Sequence, residues 1–233
     1  MCIYESNRQD NKSFYPILII GIIGAILTVI GDFLLLGVDY SGAVGTMGRY
    51  IVSAEKVSYT RIGLAGFFGY VGIPLTAWAY GVLYSLSANK NGRLCRLYRL
   101  SVWGYAVTGG AVHVMCCYIM TGIKKALETG TLEDSILKVI LNEQGGFLIP
   151  CCLVFFLFFG ICIVTMAFLI GKGKTCLPKW MCLFNLLVFK LVFNVIGNFG
   201  TSAFLNGLAC SNMSLGALII LCVWLVYLHH KKI

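Results

Sequence analysis

Leu148-Ile-Pro-Cys-Cys-Leu-Val-Phe-Phe-Leu-Phe-Phe-Gly-Ile-Cys-Ile-Val-Thr-Met-Ala-Phe-Leu-Ile-Gly171 runs without one charged side chain. A helix rises about 1.5 Å per residue, so about 20 such residues cover the roughly 30 Å of a bilayer's hydrocarbon. A helix apolar on every face belongs in lipid or in the heart of a large protein. Outward from this stretch the same character recurs, giving six runs at about 15–38, 61–87, 97–122, 148–171, 178–199 and 203–228. Across the 233 residues 59% are hydrophobic and 12% charged, with a mean hydropathy of +0.87. Soluble domains carry about a quarter charged residues. That excludes a cytosolic enzyme, a disordered tail and a secreted disulfide scaffold. An open sheet would leave backbone groups unpaired in lipid, so helices are expected. The expected fold is all-α: one polytopic integral membrane bundle over residues 1–233, with six transmembrane helices and a short interfacial helix.

Lys and Arg favour the cytoplasmic side of a membrane. With both termini inside, eleven of the eighteen lie on the inner side, among them Lys90, Arg93, Arg96 and Arg99. Six lie outside and Lys190 falls within a span. Asp39, Glu55, Glu128, Glu133, Asp134 and Glu143 all fall outside. The expected location is a bacterial inner membrane with both termini cytoplasmic. The net charge of +9 then rings a lipid surface, and no soluble face remains for a nucleic acid. Membrane lipid is the expected partner. The first span carries Asp32, lacks a small-x-small cleavage site, and reads as an uncleaved helix.

Two external segments are long. Asp39 to Thr60 is rich in Gly, Ser and Tyr and reads as irregular. Thr131-Leu-Glu-Asp134 is a capping box, and Leu132, Ile136, Val139 and Ile140 follow at helical spacing. These predict a short amphipathic helix on the outer interface, with a lid as the alternative. In the second span Gly63, Gly66, Gly69 and Gly72 recur every third residue, which predicts close approach to a neighbouring helix. Pro74 predicts a kink. Most of the eleven cysteines lie inside spans and no CxxC occurs, so they read as small packing groups.

Three ionisable side chains lie within spans, namely Asp32, His113 and Lys190. A charge at that depth costs several kcal/mol and asks for a partner or a task. Lys190, Asn194, Asn198 and Thr201 form one polar helical stripe, and Asn206 opens the sixth span. Together these predict a polar, outward-facing cavity with Asp32, His113 and Lys190 as its floor and Tyr40, Glu55 and Arg61 at its mouth. It would bind a small or amphipathic ligand in transport or sensing. An intramembrane acid–base enzyme acting on a lipid is the alternative, with Asp32, His113 or Lys190 as the catalytic candidates. A helix-gluing Asp32–Lys190 ion pair without a ligand is the third reading. No metal and no cofactor is expected: one Asp, one His and a neighbouring Cys fall short of a ligand set. No matching motif joins the first three spans to the last three, so no inverted repeat is predicted.

Gly31-Asp32-Phe-Leu-Leu in the first span, Gly72-Ile-Pro-Leu with Tyr80-Gly-Val-Leu-Tyr84 in the second, Gly109-Gly-Ala-Val-His113 in the third and the Asn-rich final hairpin resemble a family of uncharacterised bacterial multi-pass membrane proteins. The resemblance covers nearly the whole chain and implies no activity. Gly-Asp-x-x-Leu also resembles a motif of the lysoplasmalogenase-type membrane hydrolases. Their second acidic motif has no counterpart in this chain.

Overall fold

The computed structural model describes residues 14–43, 45–130 and 134–231. Eight α-helices follow in order: α1 Phe14–Leu36, α2 Gly45–Lys56, α3 Tyr59–Ser85, α4 Arg93–Glu128, α5 Asp134–Gly171, α6 Leu186–Gly197, α7 Ala203–Cys210 and α8 Asn212–Lys231. Five helices are long and apolar enough to cross a membrane: α1, α3, α4, α5 over Gly145–Gly171, and α8. On α1 the exposed residues Ile19, Ile23, Ile26 and Ile30 form one apolar ridge at helical spacing, as a lipid-facing surface requires. One end of the bundle collects Arg93, Arg96 and Arg99, while Asp39, Glu55 and Glu128 lie toward the other. These are called the basic end and the acidic end below.

The α1–α3 crossing shows what the glycine period is for. A Cβ on Gly24 would stand 2.7 Å from the Gly72 carbonyl oxygen, and one on Gly72 would stand 2.5 Å from the Gly24 carbonyl oxygen. Thr28 and Thr76 tuck their hydroxyls onto carbonyls one turn back, Gly24 and Gly72, at 3.0 and 2.9 Å. Gly69 and Gly66 instead face α4, meeting the ring of His113 and Cys117. Gly63 faces open space. Pro74 lies inside α3 without ending it.

Toward the basic end, Leu18, Tyr80, Leu83, Tyr98, Ile163, Met166, Leu221 and Trp224 form the main buried cluster. There α5 stops in a Schellman motif: Lys174 N–H reaches back to Leu169 O and Gly173 N–H to Ile170 O, both at 2.9 Å. Gly173 takes φ +64°, which a side chain would resist. Thr175 then pairs with Ser87 in an isolated antiparallel bridge, tying the α3–α4 and α5–α6 connections together.

The last two expected spans are interrupted. In place of a continuous helix over 178–199, a 3-10 turn at Lys179–Leu183 precedes α6, which has 12 residues. At about 1.5 Å per residue α6 covers about 18 Å, short of the bilayer core. Asn185 causes the restart, its Oδ1 accepting from Leu187 N–H at 2.9 Å as an N-cap. The run 203–228 is divided at Ser211 into α7 and α8. Ser211 Oγ donates to Gly207 O at 2.7 Å, and Asn212 Nδ2 donates to Ala209 O. Side chains that bond the preceding turn compete with a continuous helical ladder.

Two segments at the acidic end also differ from expectation. Asp39 to Thr60 holds α2, whose Ala54 packs near Met120 and Ile123 of α4 in a second buried cluster. Its helical period is masked in the sequence by Gly45, Gly48 and polar neighbours. Among the described residues no separate interfacial helix follows α4: α5 begins at Asp134 and runs unbroken into the fourth apolar run. Thr131, Leu132 and Glu133 of the capping box lie outside the described residues, as do the side chains of Ile136, Val139 and Ile140.

Candidate functional site

The divided last helix brings its polar residues against α1 and α6. Ser214, on the first turn of α8, donates to Asp32 Oδ2 at 2.6 Å. Across the carboxylate, His113 Nδ1 of α4 stands 3.9 Å from Asp32 Oδ1, the two side chains being 11% and 20% exposed. His113 Nε2 lies 3.1 Å from the Ala65 carbonyl oxygen. A carbonyl only accepts, so Nε2 carries the hydrogen, and whenever the ring is neutral its Nδ1 lone pair faces the carboxylate. An ionised Asp32 and a neutral His113 would thus aim lone pairs at one another. The gap is complete only with a donor: a proton on one partner, or a group supplied from outside.

Asn194 and Asn212 meet above the break, Asn212 Nδ2 donating to Asn194 Oδ1 at 2.9 Å. Asn212 is 8% exposed and its Oδ1 has no hydrogen-bond partner among the described residues. Asn206 is a brace, donating to Val38 O at 2.8 Å and to Thr201 O at 2.7 Å. Tyr40 N–H also donates to Thr201 O, at 3.1 Å, so the end of α1 and the α6–α7 turn are clasped together.

Lys190 takes no part in the Asp32 cluster. Its Nζ lies 6.0 Å from the centre of the Phe156 ring on α5, and no ion pair joins it to Asp32 among the described residues. A long lysine lets its ammonium leave the face on which its Cα sits, and an aromatic face attracts it. The Asp32–Lys190 glue reading thus has no contact to rest on, and Asp32 is met by Ser214 and His113 instead. Asn198 closes α6 as its C-cap with an exposed side chain.

The three residues expected at a mouth are distributed differently. Arg61 is a cap: its guanidinium donates to Leu34 O at 2.5 Å and to Phe33 O and Gly37 O at 3.0 Å, bringing charged donors to the carbonyls where α1 ends. Tyr40 is buried, donating its hydroxyl to Leu36 O at 2.9 Å, and burial pushes its phenol well above the usual value. It therefore stays a donor at any physiological pH. Glu55 is exposed on α2.

Sequence reasoning missed Ser211, Asn212 and Ser214. The signal was present, since Ser211-Asn-Met-Ser214 is the densest polar run within 203–228. Among the described residues no three His, Cys, Asp or Glu side chains are grouped as a metal ion would need. In sequence, residues 10–231 match a family of unknown function (DUF6796). No curated protein and no solved structure matches the chain.

Proposed function

This chain belongs to that family of unknown function, and from the geometry at its divided last helix we propose that it binds a small polar or amphipathic molecule beside Asp32, as a carrier or a sensor. The observation that carries this reading is the 3.9 Å gap between Asp32 Oδ1 and His113 Nδ1, with the other ring nitrogen engaged by the Ala65 carbonyl. With Lys190 turned to Phe156, Asp32 has Ser214 and His113 as its near partners, and when neither of the facing atoms carries a proton, a bound group completes the gap by bringing a hydrogen-bond donor. An ammonium group or a transferable proton fits. Divided helices are a recurrent way to expose backbone polar groups within a membrane, where transporters place their binding sites. The site opens toward the acidic end in this reading, with Asn194 and Asn212 beside it and Asn198, Asn206, Tyr40, Glu55 and Arg61 building its surroundings.

The order of contacts speaks against a serine-nucleophile hydrolase, while the acid–base alternative with Asp32 or His113 as base needs no such serine. A serine nucleophile needs an imidazole between its hydroxyl and the carboxylate. Here the carboxylate stands between Ser214 and His113.

The test is thermal unfolding of the detergent-purified protein with a panel of alkylammonium ions, against alkyl sulfates of matched chain length. Ligand at 100 times its dissociation constant adds about 2.7 kcal/mol. The expected result is stabilisation by ammonium compounds that disappears in Asp32→Asn and persists in Lys190→Gln. Equal response to both panels, or a response indifferent to Asp32→Asn, overturns the reading.

A further inference from the structure

Far from Asp32, the basic end holds a cavity of about 570 Å³ between α1, α3 and α4. Its walls are apolar, including Ile17, Leu75, Val102 and the half-exposed rings of Trp78 and Trp103. Its length follows from the α3 residues that line it. From Pro74 to Ser85 is a rise of eleven steps, which at about 1.5 Å each is about 16 Å, close to one leaflet's half of the roughly 30 Å hydrocarbon core. Midway along, a Cβ on Gly81 would meet nothing within 4 Å, so the missing side chain leaves this stretch of the slot open.

One cation closes the slot at the headgroup level. Arg99 lines it with its guanidinium 5.2 Å from the centre of the Tyr84 ring, a platform that holds the fork in place. Lys90, Arg93 and Arg96 stand nearby in sequence, and no Asp or Glu is found at this end among the described residues. An apolar slot one leaflet deep, ending in an arginine with no carboxylate beside it among the described residues, fits an acyl chain with a phosphate above it. A headgroup carrying its own ammonium would bring a cation to a cationic surface; an anionic headgroup would not.

We propose that this groove binds an anionic glycerophospholipid of the surrounding leaflet, its phosphate on Arg99 and one acyl chain between Trp78 and Trp103 past Gly81. The site is independent of Asp32 and lies at the opposite end of the bundle.

The two indoles in the groove make it measurable. Trp180 is the other exposed tryptophan and Trp224 is buried, so a Trp180→Phe protein reports chiefly from Trp78 and Trp103. This protein is reconstituted in phosphatidylcholine bilayers containing increasing brominated phosphatidylglycerol, then brominated phosphatidylcholine, and the relative affinity is read from fluorescence quenching. The expected preference for the anionic lipid is about fivefold, the effect of one well-placed arginine. Arg99→Gln brings it close to one. Gly81→Leu, whose Cβ has open space around it and whose branches enter the slot, does the same while circular dichroism stays unchanged. Arg93→Gln leaves it in place. A ratio near one in the starting protein overturns the proposal, as does a preference that survives Gly81→Leu. Equal loss with Arg93→Gln and Arg99→Gln assigns the effect to diffuse surface charge and overturns it too.

Discussion

Replacing the α3 glycines one at a time by alanine should change stability with a sign that depends on position. Gly63, Gly66, Gly69 and Gly72 share a period, yet their surroundings are graded. At Gly63 an added methyl meets nothing, so alanine's better helix propensity adds up to about 1 kcal/mol. At Gly66 the methyl touches Cys117 Cβ at 3.5 Å, an ordinary contact, and the effect is neutral or slightly stabilising. At Gly69 it enters the His113 ring, which must rotate away and surrender Ala65 O, at a cost of about 1–2 kcal/mol. At Gly72 the obstacle is backbone, the Gly24 carbonyl oxygen at 2.5 Å and Thr28 N at 3.0 Å. Backbone cannot change rotamer, so α1 and α3 must separate, and the loss should reach about 3 kcal/mol, the upper part of the overpacking range. Reversible unfolding in mixed detergent micelles reads all four. In a chain of this size 1 kcal/mol corresponds to about 2–4 °C in Tm. Equal effects at Gly63 and Gly72, or stabilisation at Gly72, would refute the close α1–α3 crossing.

Arg61→Met should destabilise by about 2–3 kcal/mol in the same assay, since three carbonyls at the end of α1 lose a charged donor; an unchanged Tm would remove Arg61 from its capping role. Gly173→Val should cost about 1–2 kcal/mol, because φ +64° is strained for a β-branched side chain, and Gly173→Asn should restore part of it. Asp39 is held below its ordinary value of 3.8, first by the Ser41 backbone N–H. This depressed carboxyl favours the folded loop above its ordinary value, and the benefit is lost as pH falls through the folded one. A carboxyl-carbon NMR titration should therefore give Asp39 a midpoint below 3.8, and a normal midpoint would contradict the turn it forms with Ser41.

The long helices were legible because burial in lipid is decided by average composition, which a run such as 148–171 announces on its own. The glycine period in α3 was legible for a similar reason, since close approach demands small residues at regular spacing. What averaging conceals is where side-chain hydrogen bonds interrupt a helix. Ser211 and Asn212 sit in a run whose mean stays apolar, and their effect depends on Gly207, Ala209 and Asn194 being within reach. Helical period likewise places Lys190 on a face without saying how far its ammonium reaches along it, and so Phe156 could not be foreseen. Arg61 shows the same limit at a distance, as its targets lie 24–28 residues earlier and exist only because α1 ends there. At the candidate site Asp32 and His113 were foreseen from the price of burying ionisable groups. Ser214 was not, since a serine in a membrane helix bonds its own backbone without penalty.

Helices α4 and α5 have 36 and 38 residues, about 54 and 57 Å, nearly twice the depth of the hydrocarbon they accompany. Even a tilt of about 40° shortens the projection of α5 only to about 44 Å, so the helix outruns the hydrocarbon whatever its lean. A cleavage sequence spliced directly after Gly130, at the acidic-end limit of α4, is therefore expected within reach of a protease added to one face of a sealed vesicle. Because α1, α3 and α8 are fastened to the same bundle, that single cut would orient every helix in the molecule at once.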